Sequence, residues 1–143
     1  MNPPPRILDA NGNDDILAAL QDALSDAGYE AKTVHVRAIR LGKVDFPSLF
    51  REFRPAVAIV DIGPPYDDNW AFAQALVKHP AASNVPFLWT TTNARALKEL
   101  TGARVEEMLL KPYDLEHLLE KVERLAGAPG ESAKLPPMAG EGG

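Results

Sequence analysis

The amino-acid sequence predicts an α/β domain with a doubly wound, five-stranded parallel sheet, and two observations carry that prediction. Short apolar runs alternate with segments of helical periodicity along most of the chain. The run at 56–61 is apolar except for its last residue, an aspartate. That pattern is typical of a central parallel strand covered on both faces, so helices are expected on both sides of the sheet.

The first half of the chain supplies two strands and two helices. They are expected as a strand at 6–10, a helix at 14–27, a strand at 30–36 and a short helix between Asp45 and Pro55. Gly28 is expected to end the first helix, because glycine accepts the left-handed backbone of a helix stop. Asp45 followed by Pro47 is typical of a helix start. Residues 37–44 fit neither type of element clearly.

The second half supplies three strands and three helices. They are expected as a strand at 56–61, a helix at 69–78, a strand at 86–91, a helix at 94–100, a strand at 105–110 and a last helix that Asp114 caps. The last helix carries a stripe of apolar residues that should face the core: Leu115, Leu118, Leu119, Val122 and Leu125. Because crossovers between parallel strands are right-handed, these elements predict a flavodoxin-like fold of strand order 2-1-3-4-5 in three α/β/α layers.

Length and composition set the limits of the domain. The chain has 143 residues, 45% of them apolar and 24% charged, which suits one globular domain. Residues 1–5 are expected to be a flexible N-terminus and residues 127–143 a disordered tail, since both are rich in proline or glycine and poor in apolar surface. The domain proper is then 6–126, and the tail is too short and too polar to build an output domain.

Charge and residue usage exclude several classes of function. The formal net charge is −5, so neither nucleic acid nor an anionic membrane is expected as a partner. The chain has no cysteine, which excludes disulfides, thiolate metal sites and cysteine nucleophiles. No apolar run approaches the length of a membrane span and no secretory signal opens the chain, so a cytoplasmic location is expected.

Functional side chains are expected at the carboxyl ends of the strands, where ligands bind in such sheets. The residues there are Asn11 and Gly12, Asp61, Thr91, and Lys111. Taken alone, Asp61 also fits a solvated strand end and Lys111 an ordinary surface charge. Together, the three polar groups suit a phosphoryl group, since the carboxylate can attack it, the hydroxyl can donate to it and the ammonium can balance its charge.

At these positions the chain resembles the receiver domains of two-component response regulators, with the single-domain chemotaxis regulators most similar in layout. The resemblance covers about residues 6–126 and rests on the segments 60–70 (VDIGPPYDDNW), 86–92 and 109–116 (LLKPYDLE). It implies that Asp61 is the phospho-acceptor, Thr91 the switch hydroxyl and Lys111 the lysine paired with the phosphoryl group.

The resemblance also implies a Mg²⁺ ion that neutralises the phosphoryl oxygens. Asp61 and the Gly63 backbone carbonyl would be among its ligands, and Asn11, Gly12, Gly63 and Thr92 would line the site. A small residue is usual after the switch threonine, so Thr92 departs from the pattern and would narrow the site.

The largest departure concerns the metal. Receivers carry two adjacent acidic residues at the end of the first strand, and this chain has Asn11 and Gly12 there. Neither has a carboxylate, so Mg²⁺ would lose its direct acidic ligand. Asp9, Asp14 and Asp15 are the candidate substitutes, although the last two suit a helix start better.

A second departure lies in the fifth strand, which often carries an aromatic residue that turns inward on activation. This chain has Met108 there. The usual rotamer switch is therefore missing, although a flexible methionine can still repack.

The leading prediction is a two-component (phosphorelay) receiver protein that is phosphorylated at Asp61 and acts through protein contacts without its own output domain. Its expected partners are a histidine kinase or phosphotransfer protein, a downstream protein target, and a second copy bound through the fourth helix, fifth strand and last helix. The alternative is a pseudo-receiver that binds partners without phosphorylation, because Asn11 and Gly12 replace the acidic pair. An enzyme that uses Asp61 as its nucleophile is less favoured, since no additional general base is evident, and the protein is expected not to be an enzyme.

Overall fold

Five parallel strands form one sheet in the order β2-β1-β3-β4-β5, which confirms the predicted α/β fold. The computed structural model describes residues 3–91, 108–110 and 115–127. The strands are β1 (Arg6–Asn11), β2 (Glu30–His35), β3 (Val57–Ile62), β4 (Phe87–Thr91) and β5 (Met108–Leu110). The predicted helix at 94–100 and the tail from residue 128 onward lie outside the described residues, as do Thr92, Lys111 and Asp114.

The described helices lie on both sides of this sheet. They are α1 (Asp14–Asp26), α2 (Val36–Arg40), α3 (Phe46–Phe53), α4 (Tyr66–Lys78) and α5 (Leu115–Ala126), and a 3₁₀ turn follows α4 at Pro80–Ala82. Within this part of the chain, none of the helices is long and apolar enough to cross a membrane.

Side-chain caps define where the first helices begin. The Asn13 side chain accepts from the backbone N–H of Ile16 at 3.1 Å and so caps α1, while Asp14 and Asp15 lie in its first turn. Gly28 has a φ of 100°, as expected of a glycine that ends a helix. Asp45 caps α3 as predicted, and the hydrogen bonds from Ser48 hold the pKa of Asp45 below its usual value.

Two hydrophobic clusters separate the layers. One lies between the sheet and α1 and α5, and its buried members include Ile7, Leu24, Ile59, Leu88 and Leu118. The other lies between the opposite sheet face and α3 and α4, and its buried members include Leu8, Phe50, Ala58, Val60 and Trp89. Odd-numbered residues of β1 and β3 therefore face α1 and α5, and even-numbered ones face α3 and α4.

Several boundaries differ from the sequence prediction, most of them by one residue, as in β3, which is Val57–Ile62 and not 56–61. β1 extends to Asn11, and α4 begins at Tyr66 rather than at residue 69. The short helix α2 takes up Val36, predicted as the end of the second strand, and the first part of the ambiguous stretch 37–44. The earlier start of α4 has an electrostatic reason, because it places Asp67 and Asp68 in the first turn, where carboxylates complement the helix dipole.

The predicted core stripe of the last helix is wrong at its first position. Leu118 and Val122 are fully buried, but Leu115 is 44% exposed. Helical periodicity fixes the side of the helix on which a residue lies. It does not fix how far the neighbouring layer extends along the helix axis, and Leu115 is the first residue of α5.

Tyr29 links the start of β2 to the end of α5. Its ring is buried in the α1/α5 cluster, and its hydroxyl donates to the Gly127 carbonyl at 3.3 Å. Burial, and secondly the charge of Glu123, raise the pKa of Tyr29 from 10.0 to about 12. The folded protein therefore favours the neutral phenol more strongly than the unfolded chain does.

The raised pKa predicts a loss of stability at alkaline pH. Between pH 10 and pH 12 the unfolded chain releases the Tyr29 proton while the folded protein keeps it, so the free energy of unfolding falls as pH rises through that window. A difference of that size between the pKa values of the folded and unfolded states corresponds to about 2 to 3 kcal/mol at most. We expect urea unfolding to show a steeper decline for the wild type than for Tyr29→Phe, and equal slopes for the two proteins would contradict the prediction.

Candidate functional site

Polar side chains meet at the carboxyl edge of the sheet, on the face that carries α1 and α5. Asp61 pairs with Thr90 between β3 and β4, and Asn11 pairs with His35 between β1 and β2. The β1–β3 register ends one residue earlier, so the next residues along those two strands, Asn11 and Asp61, are neighbours. The central strands thus bring the Asp61 carboxylate close to position 11, where an acidic residue would be expected.

The Asp61 carboxylate accepts a hydrogen bond from Thr90. The Thr90 hydroxyl donates to Asp61 Oδ1 at 2.8 Å, and Thr90 is buried while Asp61 is half-buried. A hydroxyl hydrogen-bonded to a carboxylate oxygen can donate a hydrogen bond that stabilises negative charge developing at that oxygen.

The threonine beside Asp61 differs from the one that the sequence predicts. Thr91 pairs with Ile62, one residue beyond the Asp61 pair, and belongs to the opposite face of the sheet. Thr90 is therefore the threonine hydrogen-bonded to Asp61 in this structure, and the role of Thr91 as the switch hydroxyl stays a prediction. The contribution of Thr92 and Lys111 to the site falls outside the described residues.

Asn11 is buried, and its side-chain oxygen is engaged. Asn11 Oδ1 accepts from the backbone N–H of Asn13 at 3.0 Å, which stabilises the turn between β1 and α1. Gly12 lies exposed in that turn. A Cβ added to Gly12 would lie 3.6 Å from Val36 Cγ2, an ordinary van der Waals distance, so the backbone has room for a side chain there.

The Gly63 carbonyl, in the loop after β3, is hydrogen-bonded to α4. Asn69 Nδ2 donates to the Gly63 oxygen at 2.7 Å. Asn69 Oδ1 in turn accepts from Arg40 Nη2, and the Arg40 guanidinium carbon lies 4.5 Å from the centroid of the Phe72 ring. The loop after Asp61 is thus connected through one amide to a cationic side chain from α2.

The three candidate substitute carboxylates are not gathered at this edge. Asp9 is fully buried in the middle of β1, where it pairs with Thr33 and Ile59. It lies two residues before Asn11, or about 6.6 Å along the strand. Asp14 and Asp15 are exposed in the first turn of α1.

The whole-chain arrangement resembles that of solved receiver structures. The chemotaxis protein CheY4 of Vibrio cholerae superposes with a TM-score of 0.63 at 24% identity, over 85% of this chain and 98% of that one. A sensor protein from Polaromonas sp. JS666 superposes with a TM-score of 0.66 at 25% identity, over 85% of this chain and 95% of that one. The non-phosphorylated HemR receiver domain from Leptospira biflexa has a TM-score of 0.63 at 22% identity, over 94% of this chain and 99% of that one.

The chain has the receiver fold. No protein-family model matches the sequence, and no curated protein matches it either, so the likeness is one of structure. The superpositions confirm the receiver fold that the resemblance implies, and the sheet itself confirms the strand order predicted from the alternation of strands and helices.

Within this receiver fold, the described residues do not fit a Mg²⁺ ion. Mg²⁺ needs hard oxygen ligands in octahedral geometry. At the four expected positions, Asp61 offers the one carboxylate, Gly12 has no side chain, and Asn11 and Gly63 offer only neutral oxygens, each of which also accepts a hydrogen bond. Among the described residues, no group of three or more His, Asp or Glu side chains is placed to hold a metal ion.

Three residues at this end of the receiver fold were missed by the sequence analysis: Thr90, Asn69 and Arg40. For Thr90 the pattern held a clue, because strand alternation puts residue 90 on the face opposite to the bulky Trp89. The clue for Asn69 was the acidic pair just before it, which is typical of a first helical turn. Arg40 lies in a stretch whose structure the sequence left ambiguous.

Proposed function

We propose that this protein is a receiver of two-component signal transduction that passes on its signal by contact with partner proteins. The observation that carries the proposal is the Asp61–Thr90 pair at the carboxyl edge of a receiver fold. Its partners would be a histidine kinase or phosphotransfer protein upstream and a protein target downstream. The protein would act by binding and not as an enzyme.

Asp61 is the proposed phospho-acceptor. One oxygen of its carboxylate would attack the phosphorus of a phosphohistidine, forming an acyl phosphate as the P–N bond breaks. The histidine nitrogen keeps the electron pair of that bond and takes up a proton from solvent. The Thr90 hydroxyl, already 2.8 Å from Asp61 Oδ1, is near enough to turn to a phosphoryl oxygen and donate to it.

A second candidate is a pseudo-receiver that binds partners without phosphorylation. The neutral oxygens of Asn11 and Gly63, the residues expected near Asp61 in the site, favour this second candidate. Asn11 is neutral and engaged with Asn13, and the Gly63 carbonyl accepts from Asn69. The charge neutralisation that assists phosphoryl transfer to a carboxylate would then be weak at this edge.

Intact mass after incubation with acetyl phosphate separates the two candidates. For a phospho-acceptor we expect one added phosphoryl group in the wild type and none in Asp61→Asn. Thr90→Val should slow formation of the adduct about tenfold or more, because it removes the hydroxyl donor while keeping the shape of the side chain. Thr91→Val is the matched control and should react at close to the wild-type rate.

The possible results point to different conclusions. Absence of an adduct in the wild type, with and without millimolar Mg²⁺, would favour the pseudo-receiver. A larger effect of Thr91→Val than of Thr90→Val would support Thr91, the residue that the sequence predicts, as the switch threonine. An adduct that persists in Asp61→Asn would overturn the proposed acceptor.

A further inference from the structure

The loop that follows Asp61 is joined to two helices by a short chain of contacts. The Gly63 carbonyl accepts from Asn69 Nδ2 at 2.7 Å, and Asn69 Oδ1 accepts from Arg40 Nη2. Arg40 also lies over the Phe72 ring, with its guanidinium carbon 4.5 Å from the centroid. We call the contacts among Arg40, Asn69 and Gly63 the loop clamp.

Each part of the loop clamp orients the next. Asn69 and Phe72 are three residues apart on α4, so they lie on one side of the helix and present an amide and a ring to the same guanidinium. The guanidinium can only donate, so the oxygen of the Asn69 amide turns toward it. The amide nitrogen then points to the Gly63 carbonyl. Arg40 thereby acts on the loop through Asn69.

The loop clamp occupies the place where a cation would act. The Gly63 carbonyl is one of the expected metal ligands, and here it accepts a hydrogen bond from Asn69. Asn69 is in turn hydrogen-bonded to the positively charged guanidinium of Arg40. A dication near this carbonyl would approach that charge and be repelled by it, and water reduces the repulsion because Arg40 is exposed. Positions 11 and 12 offer no carboxylate to offset it.

We propose that the loop clamp, and not a bound metal ion, holds the loop after Asp61 in this protein. Arg40 and Asn69 are positioning residues, and the loop is ordered before any ligand or modification arrives. The inference concerns the order of the loop and its indifference to Mg²⁺. It holds whether or not Asp61 is phosphorylated, so it can fail or succeed separately from the proposed function.

Amide hydrogen exchange of the full-length protein tests the loop clamp, with peptides that span residues 61–71. Asn69→Asp keeps an oxygen for Arg40 but cannot donate to the Gly63 carbonyl. We expect exchange in this segment to be about tenfold faster than in the wild type, the effect of losing one partly buried hydrogen bond. Asn84→Asp adds the same charge at an exposed position just before β4 and should leave the segment unchanged.

Arg40→Gln tests whether Arg40 acts through Asn69. It should also speed exchange at 61–71, and in combination with Asn69→Asp it should add little, since both changes break one chain of contacts. Arg51→Gln, at an exposed position on α3, is the matched control. In the wild type, about 10 mM Mg²⁺ should leave exchange of the segment unaltered.

Three results would overturn the inference. They are unchanged exchange in Asn69→Asp, fully additive effects of the Arg40 and Asn69 variants, and slower exchange in the wild-type segment on addition of Mg²⁺. Unfolding midpoints of all variants show whether a change is local, because a general loss of stability would also speed exchange in β1 and α1.

Discussion

Leu118→Ala is expected to lower the free energy of unfolding by about 2 to 5 kcal/mol. Leu118 is fully buried in α5 and lies in the cluster that joins α5 to the sheet through Ile59 and Leu88. Truncation removes apolar contacts and leaves a cavity that the surrounding strands cannot readily fill, because β3 is hydrogen-bonded on both sides.

Leu115→Ala provides the matched control on the same helix. Leu115 is 44% exposed, so its truncation should change the free energy of unfolding by no more than about 0.5 kcal/mol. Urea unfolding followed by far-UV circular dichroism measures both variants, and an unchanged denaturant slope ensures that the midpoints can be compared. Similar losses for the two variants would show that α5 does not pack as described.

The contrast between Leu115 and Leu118 shows how far periodicity predicts structure. The spacing of leucines placed both residues on the core side of the helix, and the structure agrees for Leu118 only. Angular position follows from the local sequence. The point where packing begins along α5 depends on the extent of the neighbouring layer, which is a property of the whole fold.

The sheet itself was predictable because its strands are strongly marked. The run at 57–62 has burial on both faces, and the parallel order follows from the crossovers, so both could be inferred without coordinates. The register between two such strands could not. Thr90 and Thr91 have the same chemistry, and which of them pairs with Asp61 depends on how β4 is placed by residues distant in the sequence.

The site was predictable where one strand end determines it and was missed where distant elements meet. Asp61 follows directly from the end of β3. The loop clamp needs the C-terminal end of α2 beside the first turn of α4, and the sequence left α2 ambiguous and began α4 at residue 69. With that later start, Asn69 would be the first residue of the helix, whereas in the structure it is the fourth and its side chain returns to Gly63.

Asn11→Asp combined with Gly12→Asp is expected to make the stability of the protein dependent on Mg²⁺. Asn11 is 2% exposed and lies next to Asp61 in the sheet register, so a second carboxylate there would repel the first. Without metal, we expect the double variant to be less stable than the wild type by about 1 to 3 kcal/mol at neutral pH. The Gly12 change adds little strain, since a Cβ there would be at an ordinary distance from Val36.

Mg²⁺ should reverse that loss, because three carboxylates at one edge supply the hard oxygens that the ion needs. A ligand that binds only the folded state stabilises it by about 2.7 kcal/mol at a hundred times its dissociation constant. The expected result is a melting temperature of the double variant that rises steadily with Mg²⁺ concentration, while the wild-type value stays constant. Quenching of tryptophan fluorescence offers a second measure of binding.

Ser83→Asp combined with Asn84→Asp is the control for added charge. Both residues are exposed and lie just before β4, at the amino edge of the sheet, whereas Asp61 lies at the carboxyl edge. This variant therefore gains the same two charges without placing them near Asp61. Its melting temperature should not respond to Mg²⁺. An equal response in both double variants would mean that net charge, and not the placement of carboxylates at positions 11 and 12, governs metal binding in this chain.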